Sequence, residues 1–563
     1  MVTSYVKSHG GVPTLFVNDR PINPMAYITY FTDKNMYKEF SQIGYCLYSV
    51  PTYFTEQTIN ESSRLPAFQK GIFDRIYDGG EPDYSVFDGL IAQILEACPT
   101  AYIFPRVNVS IPYAWEERNP DDCCEFGYDE HHRASFWSDK WLCETQRLLS
   151  LFVEHIEGSD YRDHIIGYQI SAGNTEEWFP FDMKGCRGKR ADEKFREYCL
   201  EHFGRENGTE AEFLRAFSER TAHSIIELSK TVKECTDSRL AVGAFYGYSF
   251  EVCEPDRGHF ALREVLESEY VDFICSPNSY YMVRKPGIDH AYMLPIDSLK
   301  KAGKLYLAEN DTRTHLSAPP NDLPRYQSPV WKGPEREISA EIIKMHFAKG
   351  LCHGTGMWWF DMWGGWYRDK VYLKLMQEVR KIYESAVGHD LSSKCEVALF
   401  FDEKGVPLMS RDKHPDPIFY AIFRLRVILG HMGVPYDMYL ADDFDAVAEK
   451  YKAVIIVQPV KTELSEHCIK ACGEKGIPVK VICSDGISAE TLREFCRDSG
   501  AHVYCNKKAV VYSNNSFVFL HTGEDAEFDF TFDGKCTFTD VYTGESITFP
   551  KELPLGRSFL FER

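Results

Sequence analysis

No run in this 563-residue chain stays apolar for the roughly 18 to 20 residues that a membrane-spanning helix needs, so no membrane partner is expected. Clusters of Lys and Arg are missing as well. The 84 acidic side chains against 63 basic ones leave a formal charge of -21, which disfavours nucleic acid and anionic surfaces as partners. The opening residues, MVTSYVKSHGGVPTLFVNDR, hold no basic patch followed by an apolar core, so no signal peptide is expected. There is no GxGxxG and no GxxxxGKS/T phosphate loop, so no nucleotide site or organic cofactor is inferred. GxSxG is absent too, as are Ser/His and Cys/His nucleophile arrangements. No internal repeat or low-complexity segment is present.

Eighteen cysteines lie scattered without a tight framework, which in a large chain without an export signal reads as reduced thiols in a cytoplasmic protein. Cys123, Cys124, His131, His132 and Cys143 invite a metal reading. Adjacent cysteines chelate poorly, however, and no CxxC lies nearby, so loop or core thiols are favoured and no metal is expected.

What the chain has in plenty is aromatic: 14% of its residues, nine of them Trp. These rings suit either a large core or stacking platforms for the C–H faces of sugars, and composition does not choose between them. The length implies two or three domains.

The most informative stretch is IIGYQISAGNTEEWFP at 165–180. An apolar strand breaks into small residues and delivers Glu176 and Glu177 against Trp178. A carboxyl group beside an indole is partly desolvated, which raises its pKa toward the range of a general acid. A second strand, in KLYLAENDTRTH at 304–315, ends in Glu309. Hydrolysis of a glycosidic bond asks for such a pair, one carboxyl protonated and one ionised.

Short apolar runs alternate with helical stretches over roughly the first 390 residues, the pattern of parallel strands with helical returns. Eight strands are expected: 22–29, 44–51, 101–109, 165–171, 240–245, 271–275, 305–308 and 356–360. That count implies a (β/α)8 TIM barrel, whose chemistry sits at the C-terminal strand ends. Polar or aromatic residues follow each strand there: Tyr30 and Phe31, Tyr53, Arg106 and Asn108, Tyr246 and Tyr248, Asn278 and Tyr280, and Asp361 within a crowd of tryptophans. Only one of Trp358 and Trp359 can face the pocket, because neighbouring strand residues point to opposite sides. Short buried-type strands at 395–402, 451–458 and 477–483 then indicate a small open α/β sheet. A hairpin in AVVYSNNSFVFL, with Asn514 and Asn515 at its turn, and the alternation FDFTF begin a small antiparallel β unit. The expected domains are 1–388, 389–506 and 507–563.

On Tyr168-Gln169-Ile170, Glu177-Trp178 and Glu309, the chain resembles the retaining (β/α)8 β-glycosidases whose acid/base closes the fourth strand and whose nucleophile closes the seventh. The order of barrel, small α/β domain and β domain is similar to glycoside hydrolase family 42 β-galactosidases and their relatives, including a trimeric β-mannosidase family. In family 42 an Asn directly precedes the acid/base. Here Thr175 and Glu176 separate Asn174 from Glu177, which points to a related family rather than family 42 proper. The aromatic that follows the acid/base is kept at Trp178 and favours Glu177 over Glu176, which stays the alternative.

The resemblance implies a retaining exo-β-glycosidase, β-galactosidase first and β-mannosidase second, with Glu177 as acid/base and Glu309 as nucleophile. It also implies a glycoside or oligosaccharide substrate and a homotrimer built through the α/β domain. Arg313 or Arg106 would keep Glu309 ionised. Arg106, Asn108, Asn174, Tyr246, Tyr280, Asp311, Arg313, Trp358, Trp359 and Asp361 are the candidate sugar contacts. A non-catalytic sugar-binding protein is the reading from another class; it would keep the rings without needing paired strand-end acids.

Overall fold

The computed structural model describes all residues except 57–68, 126–131, 183, 252–253, 319–326, 329–330, 410–416 and 484–485. The chain begins with an antiparallel hairpin, β1 (Ser4–His9) and β2 (Val12–Val17), turning at Gly10-Gly11 and extended by the short β3 (Arg20–Pro21). Both glycines have left-handed backbone, φ +56° and +77°, as a two-residue hairpin turn requires.

Eight parallel strands follow and close into a barrel: β4 (Met25–Ile28), β5 (Leu47–Tyr53), β6 (Tyr102–Asn108), β7 (Gly167–Ser171), β8 (Ala241–Phe245), β9 (Phe273–Pro277), β10 (Leu305–Asn310) and β11 (Gly356–Phe360). Each of the eight expected runs coincides with one of them. The strands are buried along almost their whole length, because helices cover the outside and side chains fill the inside. This explains why they read as continuous apolar runs rather than as alternation. Among the outer helices are Ser85–Ala97, Asp139–Glu157, Glu210–Cys235, Arg336–His353 and Lys370–Ala386.

The N-terminal hairpin, which the apolar pattern did not single out, seals the end of the barrel away from the site. Ser4 Oγ donates to the carbonyl of Ile166 and accepts from the amide of Ala241 at 2.9 Å, tying together the entries to β7 and β8.

A four-stranded parallel sheet comes next, in the order β13 (Asp437–Leu440), β12 (Val397–Phe401), β14 (Ala453–Val457), β15 (Val479–Ile482). The edge strand β13 was missed because DMYL has neither a long apolar run nor strict alternation. Its exposed amides would be a liability. Here the barrel helix Ile296–Lys301 covers them: Asp297 Oδ2 accepts from Met438 N at 2.7 Å and Ser298 Oγ from Leu440 N at 2.8 Å.

The C-terminal sheet pairs β16 (Ala509–Ser513), β17 (Phe517–Thr522) and β22 (Ser558–Glu562). Between β17 and β22 lie the short antiparallel pairs β18 (Ala526–Phe528) with β21 (Lys551–Leu553), and β19 (Thr537–Thr539) with β20 (Ser546–Thr548). The hairpin turn sits at Asn514, whose Oδ1 accepts from the amides of Ser516 and Phe517 at 2.9 and 2.7 Å. The alternating FDFTF segment is mostly not strand, yet Phe528, Phe530 and Phe532 all reach one buried cluster with Phe538 and Phe561.

The seal at Ser4 can be checked directly. Ser4→Ala strands a buried amide and a carbonyl and should cost about 1–3 kcal/mol, read as a lower urea midpoint with an unchanged slope.

Candidate active site

The site is built around Arg106, which lies within β6 and is 1% exposed. A guanidinium so far from water needs answering charges. Its Nη1 donates to Glu309 Oε2 at 2.8 Å, and its Nε stands 2.8 Å from Glu176 Oε2 in an ion pair off the hydrogen-bond line. The rings of Tyr30, Phe245 and Phe360 enclose it at 5.3, 4.5 and 5.3 Å, so its orientation is fixed by packing as well as by charge. Of the two arginines expected to hold Glu309, Arg106 is therefore the one in contact.

Glu309 is the penultimate residue of β10 and is 3% exposed. Besides Arg106, it receives the indole N–H of Trp358 from the neighbouring β11, at a long 3.4 Å. Burial pushes its carboxyl up, Arg106 opposes this, and the charges of Asp311 and Glu177 push the same way as burial.

Glu176 and Glu177 lie in a loop with an unusual backbone. Gly173, Thr175, Glu176 and Trp178 all have left-handed φ, between +62° and +74°. For a residue with a Cβ that conformation costs about 1–3 kcal/mol, and it persists only where the surroundings enforce it. The enforcing contacts are visible. Asn174 N donates to Phe179 O at 3.0 Å, Trp178 N to Ala172 O at 2.8 Å, and the Trp178 indole N–H to Ile170 O at 3.2 Å. A Cβ on Gly173 would stand 2.3 Å from Phe179 O, so only glycine fits. Trp178 is wholly buried against Phe136 and serves as the loop's anchor.

The loop sends the two acids to different surroundings. Glu176 is fully buried; its Oε2 accepts from the Tyr30 hydroxyl at 2.7 Å while Oε1 has no partner. Burial raises its pKa, and Arg106 together with Tyr30, Tyr53 and Asn108 draws it back. Glu177 is half-buried, accepting from Thr175 Oγ1 at 2.5 Å and from the Tyr248 hydroxyl at 3.1 Å. Burial lifts it to about 7. Its backbone is held in turn by His259, whose Nε2 donates to the Glu177 carbonyl at 2.9 Å while Nδ1 faces the amides of Gly247 and Tyr248. Burial lowers that imidazole to about 3, so it stays neutral and keeps this tautomer.

Glu309 and Glu177 feel each other's charge, so one proton held between them is the stable arrangement. Arg106 touches Glu309 and favours its ionised form, although burial still raises that carboxyl to about 8 against about 7 for Glu177. The arrangement offers a carboxylate and a carboxylic acid at one barrel mouth, the pair that glycosidic bond cleavage requires.

The other expected contacts divide. Trp358 faces the interior, as its bond to Glu309 shows. Trp359 points outward and gives its N–H to the Tyr45 hydroxyl at 2.9 Å. Tyr246 is fully buried and donates to Ser218 O on an outer helix, away from the mouth. Asp361 is spent on the frame: it accepts from the Tyr27 hydroxyl and from the amides of Gly365 and Trp366, at 2.8 to 2.9 Å, which shapes the turn after β11. These three do not stand free to meet a sugar. Asn108 Oδ1 caps Ser110 N at 2.9 Å, whereas Asn174 keeps a buried amide oxygen without a partner. Tyr280 donates to Asp311 Oδ2 at 2.6 Å, and Arg313 contacts Asp311 rather than Glu309.

Tyr53 ends a barrel strand, and Tyr30 and Tyr248 follow within three residues of one; that position is the signal for them. His259 and Arg284 come from loops with no pattern to mark them. Among the described residues no group of three or more His, Cys, Asp or Glu could hold a metal ion. Cys123 Sγ donates to the carbonyls of Glu116 and Asn119, His132 Nδ1 meets the carbonyl of Cys124 at 3.0 Å, and Cys143 is exposed on its helix. His131 lies outside the described residues. No described helix is long and apolar enough to cross a membrane.

No protein-family profile matches the chain, and no curated protein matches it in sequence. Solved structures do match in shape. The β-galactosidase from Marinomonas ef1 aligns with a TM-score of 0.64 at 11% identity, over 96% of this chain and 100% of that one. The β-galactosidase from Bacillus circulans sp. alkalophilus gives 0.65 at 11% identity, over 96% and 99%. An exo-carrageenase of glycoside hydrolase family 42 from Bacteroides ovatus gives 0.60 at 11% identity, over 100% and 84%. The chain shares the fold of these proteins along nearly its whole length.

Proposed function

We propose that this protein is a retaining exo-β-glycosidase. The observation that carries the reading is the pair Glu309, near the end of the seventh barrel strand, and Glu177, in the loop after the fourth, with Arg106 bound to the first and a carboxyl lifted to about 7 on the second. Glu177 protonates the glycosidic oxygen as Glu309 attacks the anomeric carbon and the C–O bond to the leaving group breaks. Glu177, now ionised, takes a proton from water, whose oxygen displaces Glu309 and releases the sugar with its β configuration. Glu176, enclosed with Arg106 and Tyr30, holds the guanidinium in place and is not the proton donor. A terminal β-galactoside is the first substrate to try, because two proteins of the same fold are named β-galactosidases; a β-mannoside is the second.

Nitrophenyl β-galactoside, β-mannoside, β-glucoside and β-fucoside test the reading. One of them is expected to turn over. Glu309→Ala and Glu177→Ala should each lower kcat/KM by about a thousandfold or more, in line with losing a covalent or acid–base group. With azide added, Glu177→Ala should yield the β-glycosyl azide and Glu309→Ala the α-azide, while Glu176→Ala yields neither. A β-azide from the Glu176 variant instead would transfer the proton-donor role to that residue.

The pH profile gives an independent check. An acid with a pKa near 7 must be protonated to act, so kcat/KM should fall as pH rises through about 7. With 2,4-dinitrophenyl substrates, whose leaving group needs no proton, that alkaline limb should flatten in Glu177→Ala. A limb that persists there belongs to another group.

A further inference from the structure

Beyond Glu309, the chain carries a positive charge that no described residue fully answers. Asp311, wholly buried, lies between two arginines and the Tyr280 hydroxyl. Arg284 already neutralises it: Nη1 binds Asp311 Oδ1 and its carbonyl, Nε donates to Ser279 O at 3.1 Å, and Nη2 to Asn278 O at 2.6 Å. That arginine is fully employed. Arg313 gives Nη1 to Asp311 and lies beside the Tyr280 hydroxyl. Its Nε and Nη2 are buried and have no acceptor, although the side chain is only 6% exposed.

Two unpaired guanidinium N–H groups away from water are costly, and native proteins rarely leave such groups unanswered. These two lie on the same edge of the guanidinium plane. It is the edge that grips two oxygens of a carboxylate or a sulfate side by side. The rings of Trp331, Tyr280 and Trp366 flank the Arg313 guanidinium at 4.9, 5.3 and 5.4 Å. Tyr280 and Trp331 are half-buried, so the box opens along them. Arg313 sits just past the end of β10, four residues along the chain from Glu309.

We infer that Arg313, in this box of aromatic rings, is the receptor for an anionic group, a carboxylate or a sulfate ester, on the sugar whose glycosidic bond is cut. The inference rests on the glycosidase reading and narrows its substrate class to acidic or sulfated sugars. Asp311, itself held by Arg284, fixes the guanidinium so that its free edge is presented.

The test compares 4-nitrophenyl β-galactoside with the corresponding β-galacturonide and β-galactoside 6-sulfate, on wild type, Arg313→Gln and Arg313→Lys. One anionic substrate should exceed the neutral one at least tenfold in kcat/KM, and which one it is separates carboxylate from sulfate. Arg313→Gln should lower the anionic-to-neutral ratio about a hundredfold. Arg313→Lys, which keeps the charge without the two-pronged edge, should restore only part of it. A wild type that prefers the neutral sugar, or a ratio that Arg313→Gln leaves alone, overturns the inference while hydrolysis itself stands. If none of the three is cleaved, tryptophan fluorescence of wild type is titrated with galacturonate, galactose 6-sulfate and galactose. Saturable quenching by one anion and not by galactose upholds the box even as the hydrolase reading fails; equal responses, or none, sink it.

Discussion

Everything at the barrel mouth depends on one buried cation. Arg106 sits where three aromatic rings exclude water, and a guanidinium there is tolerable only because Glu176 and Glu309 stand 2.8 Å away on two of its nitrogens. The dependence runs both ways. Without Arg106 the two carboxylates would have no nearby charge to offset their burial and their mutual repulsion, and both would hold protons. The ion triad ties the third, fourth and seventh strands of the barrel into one electrostatic unit.

The architecture was largely legible in the sequence because parallel barrel strands are buried on both faces and announce themselves as short apolar runs. Helical returns, spaced by 3.6-residue periodicity, confirmed the alternation. Parts held together by side-chain bonds rather than by apolar pattern were not legible. The N-terminal hairpin is fastened by the hydroxyl of Ser4, and β13 is capped by Asp297 and Ser298; no hydrophobic rhythm marks either.

The site divides along the same line. Glu309 and Arg106 lie near strand ends and Glu177 in the loop that follows a strand, so their position along the chain already implies the mouth of the barrel. Orientation is another matter. Trp358 and Trp359 are neighbours and only the register of β11 decides which faces inward. Asp361 has the chemistry of a sugar contact, yet three donors of its own surroundings consume it. His259, 82 residues from the glutamate whose carbonyl it holds, had no signal at all, because the contact exists only once the loops after β7 and β8 have folded.

The loop that carries Glu176 and Glu177 is a loaded spring. Three of its side-chain-bearing residues are kept in left-handed conformations by a handful of contacts to strand ends and to Trp178, at a cost of about 1–3 kcal/mol each. The barrel supplies that energy only while its rim stays tight. On warming, the spring should recoil before the barrel opens, so the protein would lose its catalytic geometry at a temperature where its secondary structure is still intact. Heat tolerance of the site and heat tolerance of the fold are then two separate quantities, set by the rim and by the core respectively.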